Sequence, residues 1–272
     1  MGVEGLCDSH CHLDFEQFDP IREQVLLESY RVGVRDIVVP GVEAQYWDRL
    51  CQLCFSQQQH DHPRLWASLG LHPCFIEKHQ PGDLARLEKL LRARGSGSLC
   101  RVVAVGEIGL DFWLPDSDRS TQLALFSEQL VLAKKFDLPV LLHARKSHDQ
   151  VLQQLRGTPL GRGGIVHAFS GSLQQAEQYI ALGFKLGVGG AVTYPRATKL
   201  RSTIKLLGEE HWVLETDAPD MPLYGMQGRI NRPDNIPLVL QALAELFERD
   251  ERQLAVQLRQ NAETVLPELA TA

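Results

Sequence analysis

The side chains most able to do chemistry in this chain are His10, His12, Glu107, His143, His167 and Asp217. Imidazoles and carboxylates together are the ligand set of divalent Zn, Mn, Fe or Mg. In His10-Cys11-His12, the period of two along an extended segment points both imidazoles one way and Cys11 the other. Six such donors exceed the needs of one tetrahedral centre, so the set predicts two divalent ions that share a bridging ligand. Glu107, the central carboxylate, is the expected bridge. His10, His12 and Asp217 are assigned to one ion, and His143 and His167 to the other. Mg2+, Mn2+ and Zn2+ all suit the set. A single strand-end His or Glu is more often a satisfied polar residue than a ligand. A His-x-His pair is common on surfaces, and His60-Asp61-His62 is read as such a case. The joint placement of the six raises them above that background.

A second tier surrounds them. Asp8 precedes His10 by two residues, and Asp111 follows Glu107 by four. Either could orient a ligand imidazole or simply cap a loop. Arg145, two residues past His143, is expected at the same rim, where a guanidinium fork grips phosphate or carboxylate. His72, in Gly70-Leu71-His72-Pro73, is expected to donate to a phosphate oxygen. The Pro- and Gly-bearing stretch Met221–Asn235 carries Arg229 and Arg232, and reads as a specificity loop or a solvated connection.

Eight short runs rich in Val, Ile and Leu must position these residues. Strands are predicted at Leu6–His12, Val34–Pro40, Leu65–His72, Val102–Gly109, Pro139–His143, Gly164–Phe169, Phe184–Gly189 and Trp212–Asp217. Their lack of alternation is the mark of parallel strands covered on both faces. Helical periodicity lies between them. It is clearest over Ser120–Phe136, where Leu123, Phe126, Leu130 and Ala133 share a face and Ser120 is at or near the N-cap. Leu173–Leu182 and Ile236–Phe247 are further helices. Arg94–Ser98 and Arg156–Gly164 read as loops before strands. The pattern predicts α/β architecture, a single (β/α)8 TIM-type barrel over residues 1–272 forming one catalytic domain. A doubly wound sheet is the alternative, weakened because no Gly-rich phosphate fingerprint follows the first strand. In a barrel all strand C-termini face one rim, so the candidate ligands would converge there.

A net charge of −6 argues against a broad basic surface for tracking duplex nucleic acid, but leaves room for local contact at a site mouth. The cysteines Cys7, Cys11, Cys51, Cys54, Cys74 and Cys100 are read as reduced thiols of a cytoplasmic protein. Cys51-x-x-Cys54 is read as packing on a helix face. No secretory leader and no apolar run of the ~18 residues needed to span a membrane are found. A monomer is expected.

Ordered motifs along nearly the whole chain resemble those of the TatD-type metal-dependent deoxyribonucleases, most closely their bacterial YjjV-type branch. They are Asp8-Ser9-His10-Cys11-His12-Leu13-Asp14, Gly70-Leu71-His72-Pro73, Val105-Gly106-Glu107-Ile108-Gly109-Leu110-Asp111, Leu142-His143-Ala144-Arg145, His167-Ala168-Phe169-Ser170-Gly171 and Leu214-Glu215-Thr216-Asp217-Ala218-Pro219. The resemblance implies a TIM-type barrel of the amidohydrolase-like group. It implies divalent ions on His10, His12, Glu107, His143, His167 and Asp217, and hydrolysis of DNA phosphodiester bonds, often from the 3′ end. Two departures stand out. Ala168 follows His167 where many members carry Cys, and Gly228–Asn235 lacks the Arg-Asn-Glu-Pro usual in the nucleases. The second bears on which phosphodiester is the substrate.

The expected chemistry is attack of a metal-activated water on phosphorus, in line with the leaving oxygen. Asp217 orients the nucleophile and takes its proton, while Arg145 and His72 stabilise charge on the non-bridging oxygens. Three alternatives stay open: a C–N hydrolase, a small-molecule phosphodiesterase, and a non-enzymatic metal-stabilised binding protein. Binuclear C–N hydrolases commonly bridge their ions with a modified Lys on strand four, where this chain has Glu107.

Overall fold

The computed structural model describes residues 3–56, 60–94, 100–113 and 118–271. Apart from Arg94, the predicted loop Arg94–Ser98 lies outside them. The described strands are β1 (Leu6–Asp8), β2 (Val34–Pro40), β3 (Arg64–Leu69), β4 (Val102–Asp111), β5 (Val140–Arg145), β6 (Gly164–Val166), β7 (Phe184–Val188) and β8 (Trp212–Leu214). They form one parallel sheet in sequence order. Just past the strand ends, Ser9 N–H donates to Leu214 C=O at 2.9 Å and Asp217 N–H to His10 C=O at 2.8 Å, which closes the barrel. The helices are α1 (Arg22–Arg31), α2 (Trp47–Ser56), α3 (Asp83–Ala93), α4 (Arg119–Lys135), α5 (His148–Gly157), α6 (Leu173–Ala181), α7 (Thr198–Leu207), α8 (Ile236–Phe247), α9 (Glu251–Val265) and α10 (Glu268–Thr271). No helix among the described residues is long and apolar enough to cross a membrane.

The missing alternation has a direct cause. On β2, Ile37 and Val39 pack outward with the helices, while Val38 joins an inner cluster. On β3, Leu65, Ala67 and Leu69 face out and Trp66 faces in. Both faces are apolar, so period two leaves no polar trace. The inner cluster also takes in Ala262, Val265, Leu266 and Leu269 from the C-terminal segment. That segment stops the bottom of the barrel. There the buried carboxylate of Asp36 accepts from Arg64 Nε at 2.8 Å, from Trp66 Nε1 at 2.7 Å and from Arg259.

Four differences from the sequence reading matter. First, β1, β6 and β8 end before His10, His12, His167 and Asp217, which sit on the coil immediately beyond. Ala168 (φ 44°) and Asp217 (φ 55°) adopt left-handed conformations that cannot continue a strand. Second, the N-cap of α4 is Asp118, whose carboxylate accepts from the N–H groups of Ser120 and Thr121. Third, Cys51 is disulfide-bonded to Cys100, so these two are not reduced thiols; Cys54 is a buried free thiol. The fold brings their Cα atoms to 4.6 Å across 49 residues, a proximity that local spacing does not carry. Fourth, His62 is buried with Nε2 3.3 Å from Glu23, while His60 is exposed.

Candidate metal centre

The cluster forms where the strand ends meet. Glu107 lies inside β4 at an irregularity in its register with β5, and its carboxylate is 2% exposed. Its two oxygens face different partners. Oε2 is 3.2 Å from His10 Nε2 and 3.5 Å from His12 Nε2. Oε1 is 3.1 Å from His143 Nδ1, 3.0 Å from His167 Nε2 and 3.1 Å from His72 Nε2. Asp217 Oδ1 completes the first group at 3.7 Å from His10 Nε2 and 3.6 Å from His12 Nε2. At 16% side-chain exposure, Asp217 reaches the mouth while His10 is fully buried.

These residues fit divalent cations. Five imidazole nitrogens crowd two carboxylate oxygens, and His143 Nδ1 and His167 Nε2 approach within 3.3 Å while aimed at the same oxygen. Neutral rings with hydrogen bonds alone do not need such convergence, whereas a cation between the donors does. The groups His10–His12–Glu107, Glu107–His143–His167 and His10–His167–Asp217 each bring one donor atom per residue within 4.8 Å of the others. The electrostatics agree. Burial opposes charge on Glu107, yet His72, His167 and His10 hold its carboxyl well below the usual range. Burial likewise opposes charge on His167, but Glu107 and Asp217 raise it to about 10. Asp217 is drawn to about 2, against its burial, chiefly by His167 and His12. The field that holds a proton on His167 is the field that would hold a metal cation in its place.

Neighbouring residues set the rings. Asp111 Oδ2 lies 3.0 Å from His143 Nε2, which leaves Nδ1 of that ring facing Glu107. Cys74 N–H donates to His72 Nδ1 at 3.1 Å, so the Nε2 of His72 carries the proton toward Glu107. In this arrangement His72 Nε2 faces Glu107 Oε1 at 3.1 Å and the ring is buried beside it. Asp8 accepts from His10 N–H and from the N–H and hydroxyl of Thr216, and so pins backbone rather than an imidazole. Arg145 is exposed at the rim, with its guanidinium over the ring of Trp113. Arg232 pairs with Glu28 and Asp234 inside the molecule, which gives the Met221–Asn235 connection a structural pin.

Sequence reading passed over Glu215. Its buried side chain accepts from Ala168 N–H at 2.6 Å, and Oε1 lies 4.0 Å from His167 Nδ1. Burial raises its carboxyl to about 8. Gly187 makes room for it, since a Cβ there would stand 2.0 Å from Glu215 Oε2. The signal was available: Glu215 precedes Asp217 by two residues, the spacing that flagged Asp8 before His10.

Fold and site define a class, a parallel (β/α)8 barrel with a histidine–carboxylate centre at the C-terminal ends of its strands. A family model described as TatD related DNase matches residues 7–267, and the chain belongs to that family. It is 45% identical over 258 residues to the "Uncharacterized metal-dependent hydrolase YjjV" of Escherichia coli (strain K12), covering 95% of this chain and 96% of that one. It is 30% identical over 261 residues to the "3'-5' ssDNA/RNA exonuclease TatD" of Erwinia tasmaniensis, covering 94% and 97%. The crystal structure of the Escherichia coli YjjV protein, a TatD homologue, matches with a TM-score of 0.91 at 44% identity over 97% of this chain and 98% of that one.

Proposed function

We propose that the protein is a metal-dependent hydrolase that cleaves phosphodiester bonds, acting as a deoxyribonuclease on single-stranded DNA or frayed 3′ ends. One observation carries the reading: the two oxygens of Glu107 are divided between His10 and His12 on one side and His143 and His167 on the other. That division supports two divalent ions, Mg2+, Mn2+ or Zn2+, sharing Glu107. His10, His12 and Asp217 would hold one, and His143 and His167 the other. Relatives named as metal-dependent hydrolases and as a 3'-5' ssDNA/RNA exonuclease support the same chemistry. When bound, the cations supply a Lewis acid and lower the pKa of a water so that hydroxide is available near neutral pH.

The chain's own residues do the rest. Asp217, facing the mouth, orients the attacking water and takes its proton. The water oxygen bonds to phosphorus as the opposite P–O bond breaks, and the leaving oxygen is protonated from solvent. Arg145 at the rim offsets charge on the non-bridging oxygens. His72 and Asp111 keep Glu107 and His143 in place. The acidic chain, at net charge −6, suits contact with a short or frayed end more than tracking along a duplex.

The test is metal analysis of the purified protein together with digestion of end-labelled single-stranded DNA after metal is stripped and restored. A parallel panel of bis-p-nitrophenyl phosphate, amides, lactones and nucleobases separates phosphodiester from C–N hydrolysis. Shortening from the 3′ label with restored metal is the expected result. Turnover confined to amides or lactones, or none on any phosphoester, would sink the proposal.

A further inference from the structure

We infer that Trp113, flanked by Arg145 and Lys146, is a stacking platform for an unpaired nucleobase of the strand being cut. The inference rests on the phosphodiester reading above and names a subsite that the reading does not contain. Of the four tryptophans, Trp47, Trp66 and Trp212 are buried, whereas Trp113 is 56% exposed. A single exposed indole is ordinary on a protein surface; the position of this one and its two cationic neighbours point to a ligand.

Its position ties it to the candidate centre. Trp113 follows β4 by two residues. Its N–H donates to Asp111 Oδ1 at 2.9 Å, and the other oxygen of that carboxylate lies 3.0 Å from His143 Nε2. On the other side, Phe112 N–H donates to Arg145 C=O at 2.9 Å, which extends the β4–β5 pairing to the rim. One carboxylate thus sets both the backbone beneath the indole and a ring of the centre. The platform is held on the same scaffold as the reacting groups rather than on a free loop.

Two cations share the ring. The Arg145 guanidinium is 4.9 Å and the Lys146 ammonium 5.4 Å from its centroid, both within cation–π range. Lys146, immediately after β5, adopts φ 58°. An exposed indole next to two positive charges matches the chemistry of a single-stranded nucleic acid, with a base against the ring and the adjoining phosphates at the cations. A base inside a duplex has both faces covered by neighbours and cannot use this platform without unstacking. The arrangement therefore favours unpaired ends over paired DNA.

The buried state of the other tryptophans makes a direct experiment possible. A phosphorothioate-linked oligothymidylate, which resists cleavage, is titrated into the metal-loaded protein while intrinsic fluorescence and affinity are followed. Saturable quenching is expected with the thymidylate. An abasic oligomer of equal length should bind without quenching. Trp113→Phe should lose the signal while keeping affinity within a few-fold, because a phenyl ring still stacks. Trp113→Ala should lose the signal and bind roughly 5- to 150-fold more weakly. Lys146→Ala should lower the slope of log affinity against log salt by about 0.7. Equal quenching by the abasic oligomer, or unchanged affinity in Trp113→Ala, overturns the inference. Quenching by thymidylate with no cleavage of the unmodified oligomer under Mg2+, Mn2+ or Zn2+ would instead overturn the phosphodiester reading, so the two failures are distinguishable.

Discussion

Replacing Glu107 by Gln tests the shared-ligand geometry most sharply. The substitution keeps the shape of the side chain and one acceptor oxygen. It removes the charge, and one of the two positions facing the imidazoles becomes an amide NH2. The group with His10 and His12 still has Asp217 at 3.6–3.7 Å, so three donors and one negative charge remain there. Around His143 and His167 the remaining close donors are imidazoles, His72 included, so the substitution takes away the carboxylate that this group shares. The second group should therefore empty first, and bound metal should fall from about two equivalents to about one. Losing an outer partner of a metal ligand costs about 10- to 100-fold in affinity or activity. Losing the charge of a shared ligand should exceed that, so kcat/KM on a phosphodiester should drop by about 100-fold or more. The assay is elemental analysis of dialysed protein, with isothermal titration of the stripped protein and steady-state kinetics on bis-p-nitrophenyl phosphate. Circular dichroism of the metal-free variant checks that the barrel is intact. Full metal content and full turnover in Glu107→Gln would refute the assignment of Glu107 as the shared ligand.

Chelation should abolish hydrolysis, and restoring one divalent metal at a time should bring it back; activity that survives complete metal removal contradicts the site. Asp36→Ala leaves Arg64 and Arg259 without their buried carboxylate, so it should cost about 3–5 kcal/mol, read as a large fall in denaturation midpoint. Gly187→Ala drives a methyl group into Glu215, whose carboxylate holds Ala168 next to His167. A loss of about 1–3 kcal/mol is expected from the overpacking, with weakened metal retention; an unchanged thermal midpoint contradicts the contact. Ser172→Ala removes half of a capping box with Gln175 at the start of α6, for about 1 kcal/mol and a fall of roughly 2–4 °C in Tm at unaltered kcat.

Much of this protein is legible one residue at a time. Runs such as Ile37-Val38-Val39 are apolar at every position because both faces of a covered parallel strand meet hydrophobic neighbours, and that pattern needs no coordinates to read. The helix Ile236–Phe247 and the strand Val34–Pro40 have the bounds their local patterns predict. The six chemistry-bearing residues stand out for a related reason: a charged or titratable group next to an apolar run is costly unless it has a partner or a purpose.

What the linear pattern could not carry is which groups face which. The division of Glu107 between two sets of imidazoles depends on where β1, β5 and β6 end relative to β4, and therefore on register, which is a property of neighbouring strands. The same is true of His72, which lies three residues beyond the end of β3 rather than at its end, and whose proton direction is set by Cys74 N–H. The bond from Cys51 to Cys100 and the hold of Asp8 on Thr216 join residues 49 and 208 positions apart. Local free energies write themselves into composition and period, because each residue must suit its own surroundings. Distances between remote segments are decided only when the barrel closes, because closure is what makes those segments neighbours.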